Sequence, residues 1–421
     1  VDYLEDNFGN ENNATVQIKN NGLTNDKTPV LVGTATPGSV IEILENGIPL
    51  SGVNPPVADA TGRWTFNIPS AFFGDGKHTY EIRTTSKSGN VFKTTFNVDV
   101  DTNAPSVGSI DSVEDTVPPQ LGPIQQNGLT NDSSPVLRGK AEASGTVTIY
   151  DKSNGQVVGI VKANLDGTWT YKAIELDDGI HSFVITVTDA AGNVSAESPA
   201  FNIKVDTFVP PAMNLANVQL IDDVGTLQGN LSSGDITDDT LPTITGVNAP
   251  AYAKEIAVFV GVNEVGRATV QPNGTWTYQF TTPLTDGSQK ISIAAVTEVG
   301  NVGSKDANWT IIVDTKAPEG ITVDITSITE DTEFAGDFIT KDNTLTFSGS
   351  LSRGLSADER IEISLDGGKT WAFAIPTGNS WYYDNTTKVL ADGEYNVQVR
   401  VVDLAGNVGA TDTQKVVVDT K

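Results

Sequence analysis

The sequence predicts an all-β chain of four tandem β-sandwiches, and three observations carry that expectation. A marker tripeptide recurs about every hundred residues, the hydrophobic pattern inside each period alternates with a period of two, and the composition is that of strands and turns. Of 421 residues, 38% are hydrophobic and 19% charged, with 40 Gly and 20 Pro. Thr, Asn and Ser fill much of the remainder, residues that favour strands and turns over helices.

The repeat comes first. Val-Asp-Thr falls at Val100-Asp101-Thr102, Val205-Asp206-Thr207, Val313-Asp314-Thr315 and Val418-Asp419-Thr420. Val1-Asp2 stands one period upstream, which divides the chain into 1–101, 102–206, 207–314 and 315–421 and makes it read as an interior piece of a longer protein. A tryptophan follows a Gly-containing turn in Gly62-Arg63-Trp64, Gly167-Thr168-Trp169 and Gly274-Thr275-Trp276, with a looser copy at Asn379-Ser380-Trp381. An Asp-Gly turn comes next (Asp75-Gly76, Asp178-Gly179, Asp286-Gly287, Asp392-Gly393), then an alternating run, then Gly-Asn at 89–90, 192–193, 300–301 and 406–407. Several markers in one register establish repetition.

Within a copy, His181 to Thr188 alternates large apolar with polar residues, the signature of a strand buried on one face. Segments 79–85, 290–297 and 395–402 match it. About seven such runs, separated by Gly, Asn, Asp or Pro, fit an immunoglobulin-like Greek-key sandwich. The recurrent tryptophan then packs between the sheets. Sandwiches with strands about 25–30 Å long, set end to end, predict a monomeric rod of roughly 120–160 Å.

Charge sorts the function classes. Fifty-three acidic residues against 26 basic ones leave a net charge of −27. Such a chain repels nucleic acid and anionic lipid, and attracts cations. It has no cysteine, so neither disulfides nor thiol chemistry contribute, and no apolar run is long enough to span a bilayer.

The carboxylates collect in turns and linkers. Acidic pairs (Glu5-Asp6, Glu114-Asp115, Asp222-Asp223, Glu330-Asp331) follow each repeat's start. Asp26, Asp132, Asp239 and Asp342 close a Thr-x-Asp triplet, and Asp189, Glu298 and Asp403 stand beside the Gly-Asn turns. Loops of a Greek-key sandwich cluster at its poles, so Asp101 is expected near Asp189, Asp206 near Glu298 and Asp314 near Asp403. Clustered hard oxygens suit Ca²⁺. The candidate ligands are Asp101, Asp115, Asp132, Asp178, Asp189, Asp206, Asp223, Asp239, Asp286, Glu298, Asp314, Asp331, Asp342, Asp392 and Asp403. The competing reading is that Asp in a turn caps backbone amides with no metal at all. The first repeat reads Ser86-Lys87-Ser88-Gly89-Asn90, without the acid.

Taken together, Val-Asp-Thr-x-Ala-Pro (100–105 and 313–318), Gly-Thr-Trp-Thr-Tyr, the Asp-Gly turn and Asp-x-Ala-Gly-Asn-Val resemble the bacterial Ig-like repeats of giant non-fimbrial adhesins and biofilm proteins exported by type I secretion. The resemblance covers all four copies. It implies an extracellular surface fibre, calcium at the domain junctions, and adhesion to a host-cell or matrix receptor.

Other features point elsewhere. Ser364 to Trp371 matches the Asp-box hairpin, a structural element of propellers. It offers Trp371, with Trp381, Tyr382, Tyr383 and Trp309, as ring faces for a glycan. A carbohydrate-binding region is therefore one alternative, and ancillary modules of a large secreted enzyme another. His78 and His181 occupy equivalent positions, where the later copies have Gln289 and Tyr395. Paired carboxylates of a glycosidase would occur once, whereas these recur with the scaffold.

Overall fold

Alternating side chains fold each of the first three repeats into two facing sheets. The computed structural model describes residues 1–6, 15–50, 54–70, 73–332 and 334–421. These form two compact units, Val1–Phe208 and Val209–Lys421, each holding two sandwiches.

Repeat 2 shows the pattern. One sheet has four strands in the order Gly122–Ile124, Ser109–Asp115, Val136–Lys140, Thr168–Lys172. The other has five, ordered Gly128–Thr130, Phe201–Val205, Gly179–Thr188, Thr146–Asp151, Gln156–Lys162. Every pairing is antiparallel except Gly128–Thr130 with Phe201–Val205, which run parallel. Repeats 1 and 3 repeat this arrangement.

The strand count differs from the seven expected. Among the described residues the first three repeats have nine strands each and the fourth has eight. In the first three copies the excess lies at the start, where the chain lays a hairpin on one sheet and then crosses to the other. In the fourth repeat Ala372–Thr377 pairs with strands of both sheets and joins them into a single eight-stranded sheet.

The core explains the recurrent tryptophan. Trp64, Trp169, Trp276 and Trp381 are at most 3% exposed. Each lies directly across a strand pair from a glycine: Gly33, Gly139, Gly246 and Gly349. A Cβ at any of these glycines would stand 2.4–2.8 Å from the indole, so the ring lies flat on bare backbone. All four indole N–H groups are buried without an acceptor, a cost that the large apolar burial offsets.

Candidate cation-binding poles

The acidic turns gather at the poles of the sandwiches, and most of their carboxylates are occupied in holding backbone. At the C-terminal pole of repeat 2, Thr130 donates its hydroxyl to Asp115 (2.6 Å) and accepts the amide of Asp132 (3.0 Å). Asp132 in turn accepts Thr116 N and Oγ1 and Ser134 N, each at 2.7 Å. This buried Asp–Thr–Asp knot fixes the crossover of the first strand. It recurs as Asp6–Thr24–Asp26 and Asp222–Thr237–Asp239. In repeat 4 Thr340 donates to the Glu330 carbonyl instead, while Asp342 caps Thr344, and Asp331 accepts Gly336 N.

The Asp-Gly turns hold the linkers. Asp178 accepts both N and Oγ1 of Thr207 at 2.8 Å. Asp75, Asp286 and Asp392 do the same for Thr102, Thr315 and Thr420. The Thr102 hydroxyl and amide hold the Asp75 carboxyl below its ordinary range. Linker carboxylates Asp101, Asp206 and Asp314 each accept the amide two residues on.

Asp189 accepts the amides of Ala191, Gly192 and Asn193 on Oδ1 and the Asn193 carboxamide on Oδ2. That same Asn193 Nδ2 donates to the Asp101 carbonyl at 2.9 Å. Asp403 and Asn407 reproduce the arrangement, with Asn407 Nδ2 2.8 Å from the Asp314 carbonyl. Asn193 thus joins the Asp189 carboxylate to the Asp101 carbonyl, and Asn407 joins Asp403 to the Asp314 carbonyl, while the Asp101 and Asp314 carboxylates cap Asn103 and Lys316. Glu298 is misaligned with this pair. Thr297 takes the capping place, receiving Asn301 N on its hydroxyl (3.1 Å), while Glu298 is exposed and faces Lys254 at 3.8 Å. A turn needs only an acceptor there, and a hydroxyl serves as well as a carboxylate, as Ser86 does in repeat 1.

Two acidic turns hold a buried carboxylate oxygen without a donor, Asp331 Oδ1 in repeat 4 and Asp238 Oδ1 in repeat 3. In repeat 3 the triplet reads Thr237-Asp238-Asp239. Asp238 Oδ1 is buried and has no donor. Burial, then the neighbouring Asp222, pushes the Asp238 carboxyl up, with Asp239 and Asp403 adding to it. Burial also raises Asp239, against the Leu241 and Asp223 amides and with the charges of Asp222 and Asp223. The loop after exposed Asp223 closes on this carboxylate. Gly225, at φ +66°, has no room for a Cβ because Asp238 Oδ2 occupies the place.

Among the described residues no three His, Cys, Asp or Glu side chains come close enough together to hold a metal by themselves. Calcium also accepts carbonyl and amide oxygens. On donor chemistry the repeat 3 pole fits it, offering hard oxygens, excess negative charge and one orphaned carboxylate oxygen. The Asp189 turn fits less well, because its oxygens already carry four donors.

The tryptophan faces are withdrawn, whereas Tyr382 is exposed and Tyr383 half-buried. Trp381 is 1% exposed and Trp309 is 7% exposed, both in the cores, so neither offers a face to a sugar. Trp371 is half-buried beneath the Arg400 guanidinium (3.8 Å to the ring centroid), which Glu362 fixes at 2.7 Å. Its indole donates to Gly368 O, and Asp366 accepts Lys369 N, Thr370 N and Thr370 Oγ1, as an Asp-box hairpin requires.

The bacterial Ig-like domain family matches at residues 7–102, 110–207, 215–315 and 319–420. The chain belongs to this family. No curated protein matches it. Similar solved structures include a tetra-tandem repeat from the extending region of a large adhesion protein, 18% identical over 94% of this chain and 98% of that one, TM-score 0.26. A Ca²⁺-stabilized adhesin with which an Antarctic bacterium binds ice is 19% identical over 93% and 94%, TM-score 0.33. Among the described residues no helix of this bacterial Ig-like chain is long and apolar enough to cross a membrane.

Proposed function

We propose that this chain is a non-catalytic spacer segment of an extracellular bacterial surface adhesin, its stiffness tuned by calcium. The observation that carries the reading is the linker. Thr102 is held from one side by Asp75, and the Asp101 carbonyl from the other by Asn193 of the next repeat. Thr315 and the Asp314 carbonyl are held likewise by Asp286 and Asn407. A linker clamped from both domains suits a chain whose task is to keep successive domains in register.

Calcium, when bound, supplies counter-charge to the carboxylates. Asp223, Asp238 and Asp239, with Asp314 and Asp403, are the residues best suited to hold it. Extracellular modules of this kind bind at about 10⁻⁴–10⁻³ M. A host-cell or matrix receptor, a glycan among the candidates, is the expected partner of the whole adhesin.

Small-angle scattering of the full chain in calcium and in chelator tests the stiffness claim. The expected result is a changed radius of gyration with unchanged β content by circular dichroism. An unchanged radius would sink it.

A further inference from the structure

The two histidines sit in a setting that the spacer role does not use. His181 faces the core of repeat 2 and is 5% exposed. Its Nδ1 lies 2.7 Å from Asp151 Oδ2 and its Nε2 2.8 Å from the Asp177 carbonyl. In repeat 1, His78 Nδ1 lies 2.5 Å from Glu45 and Nε2 2.6 Å from the Gly74 carbonyl. Both nitrogens of both rings thus face acceptors. A neutral imidazole has one N–H, so only the doubly protonated ring donates at both ends.

The carboxylate side is firmly an acceptor. Burial pushes the Asp151 carboxyl up, but hydrogen bonds from Ser182, Ser153 and His181 overcome it and hold it below its ordinary value. Around His181 stand Asp151 on Thr146–Asp151, Phe183 along its own strand and Ile203 opposite on Phe201–Val205. Around His78 stand Glu45, the stacked rings of Phe73 and Tyr80, and Lys77 and Asp99 on the rim. Burial, then the Glu45 charge, holds the Tyr80 phenol above its usual range, so it stays neutral.

The carbonyl side leads to the linker. Gly74 and Asp177 directly precede Asp75 and Asp178, the residues that hold Thr102 and Thr207. The later repeats make the same bond without an imidazole: Gln289 Nε2 donates to Thr285 O (2.6 Å) and Tyr395 OH to Ala391 O (2.9 Å).

We propose that His78 and His181 are pH-dependent anchors of the Asp-Gly turns, so that the linkers after repeats 1 and 2 loosen as pH rises while those after repeats 3 and 4 do not. A ring that loses its Nε2 proton keeps the carboxylate bond and turns a lone pair toward the carbonyl. The turn, and the aspartate that holds the linker threonine, are then freed.

Amide hydrogen exchange on the full chain in chelator, read at Thr102, Thr207, Thr315 and Thr420 between about pH 5 and pH 8, tests this. After correction for intrinsic exchange, protection at Thr102 and Thr207 is expected to fall about fivefold to tenfold, the loss of one hydrogen bond, with Thr315 and Thr420 unchanged. Parallel behaviour at all four sites, or no change at any, overturns the proposal. H78Q and H181Q, which install the side chain of repeat 3, should abolish the fall, and a fall that persists in them overturns it equally. The four amides of the unaltered chain decide the matter even where a variant does not fold.

Discussion

The junction between repeats 1 and 2 and that between repeats 3 and 4 share one hydrogen-bond frame and differ in charge. In both, an asparagine carboxamide crosses from the second repeat to the linker carbonyl, at 2.9 and 2.8 Å. In the first, the middle residue of the Thr-x-Asp triplet is Asn25, neutral and 3% exposed, with the Gly192 turn against its side chain. In the second it is Asp238, whose carboxylate has an orphaned oxygen and three acidic neighbours. Backbone geometry is thus separable from local charge. The frame needs one asparagine and one acceptor, whereas the charge at the pole is set by a side chain beside it.

The comparison holds only if the cores beneath the poles are alike. Trp169 and Trp276 each lie on a strand glycine and are 1% and 2% exposed. Trp169→Ala and Trp276→Ala are therefore expected to cost their repeats about 3–5 kcal/mol each, the largest effects predicted here. Urea unfolding of the full chain, read by hydrogen exchange in each repeat, measures both. Costs differing by more than about 1 kcal/mol would show that the cores diverge too.

A reciprocal exchange addresses the charge itself. In chelator, Asp238→Asn should stabilise repeat 3 by about 1 kcal/mol, because it removes a desolvated charge with an orphaned oxygen. Asn25→Asp should destabilise repeat 1 by a similar amount and make its melting respond to calcium. The pH dependence follows with opposite signs. Asp238 and Asp239 are raised, so their contribution is fully present below the ordinary aspartate range, about pH 4, and is lost as pH rises through the shifted values. Asp151 in repeat 2 is lowered, so its contribution is present above that range and lost as pH falls through its shifted value. Calorimetric scans in chelator from about pH 3 to pH 7 should separate the two; melting of both repeats in the same direction would refute the assignment.

Repetition, the sandwich and the tryptophan core were legible because each rests on a pattern several residues long, repeated in phase. The roles of single acids were not. An aspartate whose oxygens are filled by turn amides and one left with an orphaned oxygen look the same in sequence, and the distinction between Asp189 and Asp238 lies in how many donors reach each oxygen. Glu298 shows the converse. The repeat places an acceptor at Thr297, where a hydroxyl does the work of the carboxylate and the acid stands one residue on. The glycines opposite the tryptophans were visible as strand-interior glycines, a signal of close approach that the turn glycines overshadowed.

The smallest expected effect concerns how the charged junction is closed. Thr226, in the loop that Asp238 crowds, donates its hydroxyl to the Gly406 carbonyl of repeat 4 at 3.0 Å. Gly406 also stands against Leu227, and its φ of +98° leaves no easy place for a side chain. Thr226→Val keeps the shape and deletes the bond, so it should cost about 0.5–1 kcal/mol, read as faster amide exchange around Gly406. Because the loop also covers Asp238, the effect should couple to Asp238→Asn. With the carboxylate neutralised the loop closes without repulsion, and the hydroxyl bond then has less strain to oppose. A double-mutant cycle measures that coupling directly. Strict additivity would mean that the loop and the carboxylate act independently, and that the charge of this junction is felt through Asp222, Asp239 and Asp403 alone.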